Sequence, residues 1–167
     1  MALTTEVTIS DALISEVSES GDDDVPDPGL LQNWAAAAYL DKTPAIASLL
    51  VTTAAEIQQL NKQYRDKDRA TNVLSFAMQS PEEVDICLLG DIVLCAAVIR
   101  QEAVQQSKSS SAHWAHMVVH GMLHLQGYDH IDDSEAEVME ALEIKIMKQL
   151  GFDSPYEYSG NKAQINN

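Results

Sequence analysis

The sequence predicts one α+β domain: a small mixed β-sheet packed with helices and carrying a metal-binding helix on one face. Three observations lead there. Short β-rich runs and amphipathic runs of helical length mix without the strict alternation of a doubly wound sheet. With 167 residues, 46% of them apolar, the chain can bury one real core, so residues 1–167 are expected to form a single domain. All five histidines fall between His113 and His130, in HWAHMVVHGMLHLQGYDH, at a spacing that suits a helix and the turn after it.

In chain order, residues 6–10 alternate as a first strand. Residues 15–29, SEVSESGDDDVPDPG, are acidic, proline-bearing and nearly free of apolar side chains, and are expected to form a loop. Residues 30–40, with Trp34 and four consecutive alanines, read as a helix that stops before Pro44, and residues 45–52 as an apolar strand. Thr53 and Glu56 match a capping box for a helix whose apolar face is Ile57, Leu60 and Tyr64. Residues 71–78 (TNVLSFAM) and 88–95 (LLGDIVLC), joined by an acidic loop with Pro81, suggest a hairpin. A helix over residues 96–106 is broken by SKSSS, and the histidine helix follows over residues 112–126. The last helix is expected to start near Ser134, with Glu137 as its capping partner. It should bury Val138, Leu142, Ile146 and Leu150 and stop at Gly151. Residues 159–167 should fray.

The chain begins without a basic, apolar leader, and no run approaches twenty apolar residues, so a cytoplasmic protein with no membrane partner is expected. Cys87 and Cys95 have no C-x-x-C spacing and read as reduced, buried thiols. A formal charge of −16 argues against a general affinity for nucleic acid, and no DNA partner is expected. The charge is uneven, however: Lys62, Arg65, Lys67 and Arg69 fall within eight positions.

Residues four apart on a helix lie one turn apart on one face, so the imidazoles of His120 and His124 can address one ion. His116 continues the stripe but sits two turns from His124, too far to share the same small tetrahedron. Gly127 can end the helix in a left-handed conformation and return His130 to the metal. Three neutral imidazoles leave a fourth position open, the pattern of a catalytic zinc. His116 is expected beneath the site, and His113 facing solvent.

The spacing of His120, His124, Gly127 and His130 equals that of the metzincin proteases, H-E-x-x-H-x-x-G-x-x-H, yet Gly121 stands where those enzymes carry the glutamate base. A phosphodiester demands less of such a base than a peptide and more of charge neutralisation at the phosphoryl oxygens. HGMLHLQGYDH, with LNKQYRDKDRATNVLSF and LLGDIVLC in the same order, resembles the YbeY family of bacterial metal-dependent endoribonucleases. The resemblance implies a zincin-like fold with one zinc per chain on His120, His124 and His130, and a functional arginine at Arg65. Nickel is a possible substitute, since imidazole sites also accept it. It further implies ribosomal RNA as substrate, roles at the 3′ end of 16S rRNA and in ribosome quality control, and the small subunit or processing factors as partners. Ala77, where the family usually has proline, and Asn72, at a position often held by aspartate, depart from the pattern. Two alternatives stand beside this: a metzincin-like protease with Asp129 as an unconventional base, and a non-enzymatic assembly factor whose zinc is structural.

Overall fold

The computed structural model describes residues 2–20, 25–79 and 85–156. They form a four-stranded mixed sheet with helices on both faces: β1 (Leu3–Ile9), α1 (Asp11–Ser20), α2 (Pro28–Ala38), β2 (Ala45–Thr52), α3 (Ala54–Arg65), β3 (Val73–Ala77), β4 (Cys87–Cys95), α4 (Ala96–Gln105), α5 (Ser110–Leu125) and α6 (Asp133–Gln149). The strand order is β1-β2-β4-β3. β1 and β2, and β2 and β4, run parallel, whereas β3 and β4 form the expected antiparallel pair, with Ser75 opposite Ile92. The α+β class and the histidine helix on one face of a mixed sheet are as the sequence predicts. The proposed frayed tail, residues 159–167, lies outside the described residues.

The acidic segment corrects the expectation for residues 15–29, since helix α1 extends through Ser20. Two signals outweigh its acidity. Ser10 caps it by accepting from the Leu13 amide at 3.2 Å, and Leu13 and Val17, one turn apart, reach the main core. α2 then opens on Pro28 and buries Leu31, Trp34, Ala35 and Ala38 at helical spacing.

The two sheet faces are filled differently. On one, Leu49, Ile92 and Val73 join Trp34, Trp114, Met117, Met122 and Met139 in the main core. On the other, α3 lays Ile57 over Leu74, Val93 and Cys95, with Leu60 beside them. The Thr53 hydroxyl caps α3 by accepting from the Glu56 amide at 3.2 Å. The other half of the box is absent: the Glu56 carboxylate takes the Thr52 hydroxyl, 2.8 Å away, instead of returning to Thr53. Between β2 and β4 the register slips where Gly90 stands, at φ 138°; a Cβ there would lie 2.1 Å from the Phe76 carbonyl oxygen, so the kink requires glycine.

α6 differs from expectation in both cap and face. Asp132 accepts from the Glu135 amide at 2.8 Å, ahead of the expected Ser134 and Glu137 pair. The buried positions are Met139, Glu143, Ile146 and Met147; Leu142 and Leu150 flank them, and Val138 is 52% exposed. Apolar residues occupy two adjacent stripes of this helix, and the one that meets α5 is the one bearing a glutamate. Cys95 is buried and Cys87 half-buried, both free thiols. Among the described residues, no helix is long and apolar enough to cross a membrane.

Candidate metal centre

From His113 to Leu123 every residue of α5 is buried. A helix enclosed on all sides sits at the centre of the core, and each histidine on it must find a partner there. His113 corrects the expectation of solvent exposure. It is 1% exposed, and its Nε2 lies 2.9 Å from Glu102 of α4, whose carboxylate also accepts from Asn72 Nδ2 at 3.0 Å. The sequence hides this because α4 packs across the first turns of α5. Burial alone would raise the Glu102 carboxyl, but hydrogen bonds from His113 and Asn72 hold it below its ordinary value.

His116, one turn further, lies beneath the site as expected. Its Nε2 pairs with Glu143 of α6. Burial pushes His116 down to about 4, so it is neutral at physiological pH.

One more turn brings His120, whose Nε2 is 3.1 Å from Nε2 of His124. Two imidazole nitrogens face each other across the space of one ion: ligands bonded tetrahedrally to zinc at about 2.1 Å would stand about 3.4 Å apart. α5 then ends in a Schellman turn, with the Gly127 amide on the His124 carbonyl at 3.0 Å and the Tyr128 amide on the Leu123 carbonyl at 3.1 Å. Gly127, at φ 97°, takes the conformation the turn needs. The chain reverses there and returns His130. His120, His124 and His130 each place a donor atom within 4.8 Å of the others, a set with the chemistry and spacing to hold one metal ion. Burial first, then the nearby His120 and His130, push His124 down to about 4, so the ring is neutral, the form that ligates a cation, at neutral pH.

His124 and His130 open into a cleft of about 600 Å³ that Asp129, Arg65, Lys67 and Arg69 also line. α3 lies on the opposite sheet face from α5, yet its last residue reaches this cleft around the edge strand. In the antiparallel pair, Asn72 and Met78 bond to β4, so by alternation the carbonyl of Ser75 points away from the sheet. Arg65 donates to that carbonyl from Nη2 at 2.7 Å, with its guanidinium carbon 4.9 Å from the centre of the Phe76 ring. Asp66, left-handed at φ 56°, ends the helix, and buried Asn61 ties the following loop by donating to the Arg69 carbonyl at 2.9 Å. The cation beside Asp68 is Lys62, at 3.8 Å.

Gly121 excludes a base at the position where the metzincins carry theirs. A Cβ at this position would fall 2.9 Å from Cγ2 of Ile92 on β4, so the glycine lets α5 seat directly on the sheet. No carboxylate base fits there. Gly121→Glu is expected to destabilise the fold by about 3 kcal/mol or more, by overpacking and by burying a charge without a partner. A denaturant melt measures it; parental stability would mean that α5 does not seat on Ile92.

Sequence reasoning missed Glu143 and Tyr156. Glu143 is 1% exposed, its Oε1 accepts from the Tyr156 hydroxyl at 3.0 Å, and the same oxygen lies 3.6 Å from His120 Nδ1. Burial alone would raise its pKa, but the paired His116 and the neighbouring His120 hold it well below the usual carboxylate range. Burial, then the Glu143 charge, push the Tyr156 hydroxyl up. The available signal was a lone carboxylate four residues after Met139 and three before Ile146, within the stripe that packs.

Comparison with known proteins agrees with this geometry. A family model described as "Endoribonuclease YbeY" matches residues 30–151. A curated protein from Alteromonas mediterranea named "Endoribonuclease YbeY" is 52% identical over 136 residues, which cover 80% of this chain and 86% of that protein. The solution structure of TM1509 from Thermotoga maritima has the same fold, with a TM-score of 0.54 and 22% identity over 88% of this chain and 89% of that one.

Proposed function

Because this chain belongs to the YbeY endoribonuclease family, we propose that it is a zinc-dependent endoribonuclease that cuts single-stranded RNA during ribosomal RNA maturation, at the 3′ end of 16S rRNA, and in ribosome quality control. The observation that carries the reading is a cleft lined by Arg65, Lys67 and Arg69 together with His124 and His130, two of the three convergent histidines. That pairing suits a phosphodiester, whose cleavage requires neutralisation of charge at the phosphoryl oxygens and a nucleophile in line with the leaving oxygen.

In this reading His120, His124 and His130 hold one ion, zinc by preference and nickel as a substitute, because neutral imidazole suits both. The ion, when bound, supplies Lewis-acid charge and lowers the pKa of water toward neutrality. The chain supplies the rest. Arg65 binds phosphoryl oxygens with paired donors at any working pH, Lys67 and Arg69 draw the backbone in, and Asp129, at the cleft wall, is placed to accept a proton. The glutamate base of the metzincins has no room here, since position 121 must remain small, and the peptidase alternative would depend on Asp129.

The test is a panel of RNA and peptide substrates with metal-stripped and zinc-restored protein. RNA cleavage that comes and goes with zinc is expected, and zinc-dependent peptide cleavage in its place would overturn the reading. Ligand assignment has its own test. His116→Gln and His113→Gln are expected to leave about one zinc per chain at saturating zinc, at a stability cost of about 1–3 kcal/mol for each disturbed buried hydrogen bond. Stoichiometric loss in the His116 variant would move that residue into the ligand set.

A charge of −16 opposes free RNA at long range, even while the cleft attracts it locally. Delivery by the small ribosomal subunit or a processing factor follows, in the cytoplasm where those partners reside. Tight binding and efficient cutting of RNA by the purified protein alone at physiological salt would overturn the need for a carrier.

A further inference from the structure

A buried carboxylate, Glu143 of α6, lies beneath the candidate metal centre. α6 is already anchored to the core by Met139, Ile146 and Met147, and an apolar side chain at position 143 would extend that stripe. Replacing buried charged groups by apolar ones of similar size is often neutral or stabilising, so a buried glutamate here calls for a role. Its surroundings indicate one. Oε2 accepts from His116 Nε2, and Oε1 accepts from the Tyr156 hydroxyl at 3.0 Å. With its Nε2 in hydrogen-bond contact with an ionised carboxylate, the neutral His116 ring carries its proton on that nitrogen, aimed at Oε2. The third group facing the carboxylate is His120 Nδ1, 3.6 Å from Oε1, while the opposite nitrogen of that ring faces His124 at 3.1 Å.

We propose that Glu143 is the positioning residue of the metal centre: braced by His116 and Tyr156, it holds His120 with the proton on Nδ1 and the lone pair of Nε2 turned to the ion. This rests on the assignment of His120, His124 and His130 as ligands. A carboxylate facing the far nitrogen of a ligating histidine fixes both tautomer and ring orientation and makes the ligand more basic. Of the three histidines only His120 faces this carboxylate, and it is also the most buried, at 2% exposure. It is therefore the ring through which α6 sets the geometry of the whole site.

The experiment uses the full chain and zinc itself. Zinc affinity is measured by competition with a chromophoric chelator for the parent, Glu143→Gln and His124→Ala, beside melting curves without metal. Glutamine keeps the volume but places the amide or an uncharged oxygen toward His120. Glu143→Gln is expected to bind zinc about 10- to 100-fold more weakly, with the metal-induced rise in melting temperature reduced to match. A merely structural glutamate would instead lower the metal-free and zinc-loaded melting temperatures equally and leave affinity at the parental value. That result, beside loss of zinc in His124→Ala, would overturn the proposal while the ligand assignment stands. Parental affinity in His124→Ala would remove the premise and the proposal with it. A readout independent of any variant's folding is the nitrogen-15 long-range correlation spectrum of metal-free parent protein. There His120 is expected as the Nδ1–H tautomer, and a ring protonated on Nε2 would overturn the proposal.

Discussion

His124→Ala is expected to abolish zinc retention and RNA cleavage together while the fold survives. The side chain sits where α5 ends, half-buried, with its Nε2 3.1 Å from that of His120. The backbone of this turn is held independently of the imidazole: the His124 carbonyl takes the Gly127 amide, and Gln126 ties the helix end to α2 by donating to the Ala38 carbonyl at 2.7 Å and accepting from the Leu40 amide at 2.9 Å. Removing the ring therefore costs little packing, whereas it leaves two imidazoles, one short of the set that holds a zinc ion with an open position. The loss of affinity should exceed the roughly 10- to 100-fold typical of groups that only support a ligand. Metal analysis after dialysis, circular dichroism and cleavage assays with added zinc check the three parts separately. Full zinc occupancy in this variant would show that the ligands are assigned wrongly, and restored cleavage at high zinc would mean that two histidines suffice.

The histidine spacing made the convergence of His120, His124 and His130 legible because each step is local: one helical turn, then a glycine that can adopt φ 97°. The hairpin of β3 and β4 and the cap at Thr53 were legible for the same reason. What stayed hidden depends on which faces meet. α6 carries apolar residues on two adjacent stripes, and only its docking against α5 selects Met139, Ile146 and Met147 and draws Glu143 beneath His120. α4 likewise covers His113, which its own sequence neighbours give no cause to bury. α1 was obscured by composition: Leu13 and Val17 are its core-facing signal within an acidic stretch. Tyr156 lies beyond the last helix, and no periodicity connects it to a glutamate thirteen residues earlier.

Arg65→Ala is expected to lower the single-turnover rate of RNA cleavage by roughly 10² to 10³ while zinc content and folding are retained, the loss typical of removing one charge-stabilising donor. The residue contributes little to the core, being exposed at the end of α3, and its side chain is held by the Ser75 carbonyl and the Phe76 ring. That hold matters to the mechanism. One guanidinium nitrogen is engaged by the edge strand, and the planar fork leaves further donors toward the cleft that His124 and His130 line. An arginine oriented in this way meets charge developing on the phosphoryl oxygens without first having to be ordered. Lysine at this position should rescue poorly. Its ammonium can reach the carbonyl or a phosphate oxygen, but it lacks the fork that addresses both, and it stacks less well on the ring. The measurement is cleavage at saturating enzyme for the parent and for the alanine and lysine variants, with bound zinc determined in each. Saturation separates binding from chemistry: if Arg65 only captured RNA, the alanine variant would need more enzyme to saturate and would then cut at the parental rate. That result would withdraw the catalytic role of Arg65 and leave Lys67 and Arg69 as its equals in drawing RNA into the cleft.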